Sequence, residues 1–212
     1  MNKALDIAAK ALSILLYPLF IPTYGIILFC VAFSHHVQPL LPVWSIVAIS
    51  GTLLLTCLLP ITAIWLLMRR GKVQDLYIDN ADERTVPYMY AVLGFGFWCY
   101  LLIAILHAPL YLNCVAIGAT VAIGLIALIN RTWKISAHLT GLGGFVGGLM
   151  SYYVGVGLFP STWMLVLCLA LSLLLMCARL RVKAHTPEQV CTGWLLGIAC
   201  TFLPYCVISY VV

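Results

Sequence analysis

Seven apolar stretches, each about long enough to cross a bilayer, fill most of this chain. They are Ala11–Phe33, Val43–Met68, Tyr88–Leu106, Leu110–Asn130, Leu139–Leu158, Ser161–Ala178 and Val190–Val212. The hydrocarbon layer offers no water to backbone polar groups, so only helices and closed barrels cross it. A helix needs roughly 20 apolar residues to do so. The chain is 64% hydrophobic and 8% charged, against about 25% charged in a soluble domain. These features predict an all-α, polytopic transmembrane helix bundle of about seven spans, folded as a single membrane domain over 1–212. Pro18 and Pro22 interrupt the first stretch; if it is kinked or re-entrant, six spans remain.

The charges sort by loop. Lys3 and Lys10 precede or open the first stretch. Arg69, Arg70, Lys72 and Arg84 follow the second, Arg131 and Lys134 the fourth, and Arg179, Arg181 and Lys183 the sixth. The remaining loops carry only His35, His36, His107 and neutral residues. With seven spans all 11 Lys and Arg fall on one face. Short basic loops stay in the cytosol, which predicts a cytosolic basic face in a bacterial inner membrane. Met1–Asp6 leads into apolar sequence without a small-residue cleavage site, so no signal peptide is expected there. The net charge of +5 does not describe a nucleic-acid surface, because no basic cluster is interleaved with stacking aromatics. The expected partners are membrane lipids. The nine cysteines form no Cys-x-x-Cys pair and read as small apolar residues. No metal-ligand spacing appears, and no cofactor is expected. Arg69, Arg70, Arg181 and Lys183 read as topology anchors, and His35, His36 and His107 as interfacial loop residues. The segment Arg69–Pro87 predicts an interfacial stretch ending at Pro87, where the third span starts.

Ionisable groups at membrane edges are the only obvious chemistry in such a chain. Two segments concentrate them: Lys134-Ile-Ser136-Ala137-His138, and Arg179 followed after five residues by His185-Thr-Pro-Glu-Gln189. Thr186, Pro187 and Gln189 form a helix start, with Thr as N-cap, Pro at the first position and Gln completing a capping box. His185 therefore precedes a helix N-terminus, where anions bind well. Ser136 reads as the cap of the fifth helix. The small-residue pairs Gly144/Gly148 and Gly193/Gly197 predict close packing of the fifth and seventh helices, which would bring His138 and His185 towards one pocket. A cation that holds an anion and an imidazole that attacks it suit phosphate.

These segments resemble the signatures of the type 2 phosphatidic acid phosphatase family of integral membrane lipid phosphatases. Arg179-x5-His185 resembles the third signature, Ser-Arg-x5-His-x3-Asp. Ser136-Ala137-His138 resembles the second, Pro-Ser-Gly-His, and Arg84-Thr-Val-Pro87 the end of the first, Lys-x6-Arg-Pro. The likeness covers about residues 70–197. It implies a metal-independent hydrolase acting on a lipid phosphate. His185 would be the nucleophile that forms a phosphohistidine, and His138 the general acid and then base. Arg179 and Arg84 would hold phosphate oxygens, with Lys134 and Ser136 beside them. The sequence departs from the pattern at Tyr77 for Lys, Ala178 for Ser, Ala137 for Gly, and Gln189 for the Asp that orients the nucleophile. Lys72 or Lys134 could supply the missing charge, and Lys134, one helical turn before His138, is the one expected to do so. Gln189 can accept a hydrogen bond from the imidazole but cannot neutralise an imidazolium. Phosphatidic acid, phosphatidylglycerol phosphate, a polyprenyl diphosphate and a lipid A phosphate are the implied substrate types. The competing reading is a non-catalytic lipid-phosphate binder or transporter that retains the pocket. In the family the pocket commonly faces the periplasm or lumen, opposite to the cytosolic face that the charges predict.

Overall fold

A computed structural model describes residues 3–33, 42–71, 73, 81–156 and 162–209. Among the described residues all regular structure is helical. The first apolar stretch is not one helix. Helix α1 spans Lys3–Leu15 and α2 spans Ile21–Leu28, continuing as a wide π turn over Phe29–Phe33. Pro18 lies between α1 and α2. Its missing N–H and ring end a helix, and the residue before a proline avoids helical geometry. Pro22 falls in the first turn of α2, where no intrahelical bond is lost. Helix α1 buries only Ala9 and Ser13 of its own length and leaves Leu5, Ile7, Ile14 and Leu15 exposed.

Helix α3 (Pro42–Thr52), a π segment (Leu53–Leu58) and α4 (Leu59–Arg69) form one continuous rod. The wide turns lie just ahead of Pro60, whose ring would otherwise press on the carbonyl four residues back. Helix α5 runs Ala81–Ala104 with Pro87 inside it. The helix thus already runs ahead of Pro87, within the stretch expected to be interfacial, while its apolar span starts at Val86, next to the expected boundary. The remaining helices are α6 (Leu110–Ile129), α7 (Ala137–Val156), α8 (Thr162–Arg181) and α9 (Pro187–Ser209).

Five helical segments are long and apolar enough to cross a membrane: Pro42–Arg69, Val86–Ala104, Leu110–Ile129, Trp163–Arg181 and Pro187–Ser209. Several long apolar helices fit an integral membrane protein. Helix α2 and the turn that follows it form a shorter apolar helical stretch, Ile21–Ala32. It starts beside Ser13 and Tyr17 at the charged end. It finishes where Phe29 meets the rings of Trp44 and Tyr111, and Trp44 Nε1 donates to the Leu106 carbonyl at 2.9 Å.

The hub is the α7–α9 contact. Without side chains between them, two helices approach until backbones touch, and dispersion and short polar contacts replace the hydrophobic drive that lipid cannot supply. A Cβ added at Gly143 would strike the Trp194 carbonyl, one at Gly147 the Thr201 hydroxyl, and one at Gly197 the Thr140 carbonyl. Gly193 sits over the Ser136 carbonyl. The expected pairing is therefore shifted by a residue on α7: Gly144 faces α9 more loosely, and Gly148 faces Val115 of α6 instead. Thr201 Oγ1 donates to the Gly144 carbonyl at 3.0 Å, and Ser151 Oγ to the Thr201 carbonyl at 3.1 Å. Cys57, Cys99, Cys114 and Cys168 are buried, whereas Cys177 and Cys191 lie on the outer surface.

Replacing Gly197 with Ala drives a methyl into backbone, and overpacking of this kind costs about 1–3 kcal/mol. A methyl at Gly124 on α6 would have no heavy atom within 4 Å, and an interior helical Gly→Ala change gains up to about 1 kcal/mol. Thermal melts in detergent should show Gly197→Ala below wild type and Gly124→Ala at or above it. A Gly197→Ala melt equal to wild type would mean that the α7–α9 contact is looser than described.

Candidate active site

The Arg179 to His185 spacing has a local structural cause. At the end of α8 the Ala184 N–H donates to the Arg179 carbonyl at 3.1 Å, and the Lys183 N–H donates to the Leu180 carbonyl at 3.0 Å. Lys183 takes a left-handed conformation, φ 54°. This nested pair of bonds around one left-handed residue is a Schellman stop. It reverses the chain so that α9 starts almost at once, with Pro187 at its first position. The last turn of α8 and the residue before α9 are thereby held side by side.

His185 is half-buried and fixed from one side. Its Nδ1 lies 3.1 Å from Gln189 Oε1 and 3.3 Å from the Lys134 carbonyl. The Thr186 backbone N–H also donates to Gln189 Oε1, at 3.1 Å. A backbone N–H can only donate, so the amide oxygen, not the nitrogen, is the atom turned to His185. Both partners of Nδ1 are then acceptors. Nδ1 carries the proton, and Nε2 keeps its lone pair. Gln189 thus closes the capping box and orients the ring with the same atom.

His138 lies in the first turn of α7 and is buried. Its Nε2 donates to the Ser13 carbonyl of α1 at 3.2 Å, and Tyr17 meets its ring edge-on at 5.5 Å. Ser136 is fully buried and outside the cavity that the histidines line. Its Oγ lies 3.5 Å from the Leu139 N–H, and its own N–H donates to the Gln189 carbonyl at 3.3 Å. Ser136 thus caps α7 and ties it to α9.

A cavity of about 840 Å³ opens at this end of the bundle, and Lys10, Lys134, His138, Arg179, Lys183 and His185 line its mouth. Lys134, Arg179 and both histidines thus line one cavity. By sequence Lys10 is a topology charge and Lys183 an anchor, yet both line the cavity. Arg181 instead pairs with Asp6 at 2.8 Å, and this contact holds α1 against α8. Lys10 gives no signal in the sequence, because nothing there links α1 to segments so far along the chain. The side chain of Arg84 lies outside the described residues. Its backbone position is one helical turn before Tyr88, which lines the cavity.

Burial pushes the His185 imidazole down, the Arg179 guanidinium adds to this, and Lys134 contributes further. The bonds from Gln189 and the Lys134 carbonyl oppose the shift, and the result is a pKa of about 4. His185 is then neutral near pH 7, with a free Nε2. The N-termini of α7 and α9 add partial positive charge beside it. The arrangement is an anion site containing an unprotonated imidazole and a second imidazole whose orientation is fixed. Comparisons with models of known families, with curated proteins and with solved structures found no match.

Titration of the His185 ring by NMR in detergent should show a midpoint near pH 4, and Arg179→Met should move it up towards the ordinary value of about 6.5. The fold favours the neutral form. Its contribution to stability is complete above pH 6.5 and is lost as pH falls from there through 4. A wild-type midpoint at or above 6.5 would contradict the described burial.

Proposed function

We propose that this chain is a membrane lipid phosphatase that works through a phosphohistidine, as its resemblance to the type 2 phosphatidic acid phosphatases implies. The observation that carries this reading is the meeting of four cations and a neutral, oriented His185 at the mouth of one cavity. In the proposed reaction, Lys134, Arg179, Lys10 and Lys183 hold phosphate oxygens. His185 Nε2 supplies the electron pair for the new N–P bond as the bond from phosphorus to the lipid oxygen breaks. That oxygen takes a proton from His138, since phosphate charge beside His138 favours its imidazolium. His138 then removes a proton from water as the water oxygen attacks phosphorus and releases His185. Gln189 keeps the His185 tautomer but adds no negative charge. It therefore supports the attack with less electrostatic help than a carboxylate would.

We read seven crossings: the five long helices together with α2 and α7. The glycines, tyrosines and His138 of α7 lower its hydropathy, but its central position keeps them inside the bundle. The expected home is a bacterial inner membrane with the basic end in the cytosol. Single cysteines on a cysteine-free background test this in intact cells. A cysteine at Asn80 should be shielded from an impermeant reagent while one at Pro109 reacts; the reverse pattern would turn the cavity outwards.

The Gln189 substitution favours one competing reading, a lipid-phosphate binder without turnover. Phosphate release by the purified protein from a panel of lipid phosphates, with vanadate as inhibitor, separates the two. His185→Ala and His138→Ala should each remove nearly all release, by losses that reach about 10⁶-fold for groups acting as a unit. Gln189→Asp should keep or raise the rate, and Gln189→Leu should lower it. Binding without release in wild type would favour the binder, and turnover by His185→Ala within tenfold of wild type would remove His185 as nucleophile.

A further inference from the structure

Pro18 does more than end α1. The last turn of a helix has carbonyls that no helical N–H reaches, and here they find different partners. Leu12 keeps a helical bond, from the Leu16 N–H at 2.9 Å. Pro18 has no N–H to offer Ile14. The Tyr17 N–H takes the Ile14 carbonyl instead, at 3.2 Å. Ser13 thereby loses the donor that a continuing helix would bring to it, and its carbonyl accepts from His138 Nε2 at 3.2 Å. The Leu15 carbonyl accepts from the Tyr24 hydroxyl at 2.9 Å. The Ser13 hydroxyl plays no part in holding His138, since it donates to the Ala9 carbonyl at 2.9 Å. This end of α1 is fixed in place. Leu16 shares a buried cluster with Leu139, the neighbour of His138, and with Leu175 of α8, and Leu12 packs against the same cluster.

A carbonyl can only accept, so Nε2 of His138 keeps its proton and Nδ1 is the ring nitrogen left to exchange one. We infer that Pro18 is a positioning residue: by breaking α1 it frees the Ser13 carbonyl to hold His138 Nε2, so that Nδ1 gives the proton to the lipid oxygen and takes one back from water. The inference rests on the phosphatase reading and adds to it the atom through which His138 works and the element that selects that atom. The carbonyl dipole also favours the imidazolium that the first of these transfers needs. The two histidines are then held in opposite senses. His185 is held by Nδ1–H and keeps Nε2 for phosphorus, whereas His138 is held by Nε2–H and keeps Nδ1 for the proton.

The test uses the full chain in detergent, with heavy nitrogen in its histidines, and NMR of the ring nitrogens while both rings are neutral. Wild type should show His185 protonated on Nδ1 and His138 on Nε2. Pro18→Ala restores an N–H for the Ile14 carbonyl and lets the Tyr17 N–H turn to Ser13. His138 should then become a mixture of tautomers while His185 keeps its own. Turnover is measured with the most active member of the lipid phosphate panel. In Pro18→Ala its kcat should fall roughly tenfold or more, a part of the 10²–10⁴-fold that general acid–base catalysis supplies. KM should stay within about threefold, because the mouth cations remain in place. Release by a wild type whose His138 is protonated on Nδ1, or by Pro18→Ala with kcat and tautomer unchanged, would overturn the positioning role and leave the phosphatase reading standing. The described tautomers without release from any lipid phosphate would overturn the phosphatase reading, and the positioning role with it. If Pro18→Ala fails to fold, the wild-type spectrum and release decide the matter.

Discussion

The backbone contact between α7 and α9 is the constraint on which the site depends. Gly143, Gly147, Gly193 and Gly197 remove the side chains that would hold the two helices apart. Once backbones touch, rotation and sliding are both fixed. The Ser136 N–H then reaches the Gln189 carbonyl, and the Lys134 carbonyl reaches His185. Two helix N-termini are locked side by side, each presenting a histidine close to its first turn. A small shift at the glycines would separate the two rings before it disturbed the rest of the bundle.

Around this frame the electrostatics are one-sided. Lys10, Lys134, Arg179 and Lys183 face the cavity, and no carboxylate lines it among the described residues. Such a cluster repels itself and favours an anion. Burial, with Arg179 and Lys134 beside it, keeps His185 unprotonated, which a nucleophile requires. Gln189 fits this balance: it directs the ring through a neutral dipole and leaves the cationic field undiminished for the ligand. Helix α1 closes the far side, with Ser13 on His138 and Asp6 on Arg181. An element that resembles a membrane span in sequence thus becomes part of the pocket wall.

Much of this is legible in the sequence for physical reasons. Apolar length and loop charge mark the helices, and proline, threonine and glutamine mark the start of α9. The spacing of Arg179 and His185 encodes their adjacency, since a helix end, a Schellman stop and a cap leave little freedom between them. The stop itself is not legible, because Lys183 occupies the left-handed position where glycine is the usual signal. The break between α1 and α2 is visible at Pro18, but not where α1 goes; that is set by contacts with α8 and α7, distant in sequence. The place of Lys10 is hidden for the same reason. The packing glycines of α7 differ by one residue from those expected, because small-residue spacing repeats along a helix face and does not say which repeat meets which neighbour.

The central claim is that His185 forms a covalent bond to phosphorus. Brief incubation with a lipid phosphate labelled in its phosphoryl group, followed by rapid quenching and mass spectrometry, tests it directly. The account predicts an acid-labile, base-stable phosphoryl group on His185, absent from His185→Ala and longer-lived in His138→Ala. Turnover of the same lipid without any phosphoryl group on His185, or with the label on another residue, would contradict it.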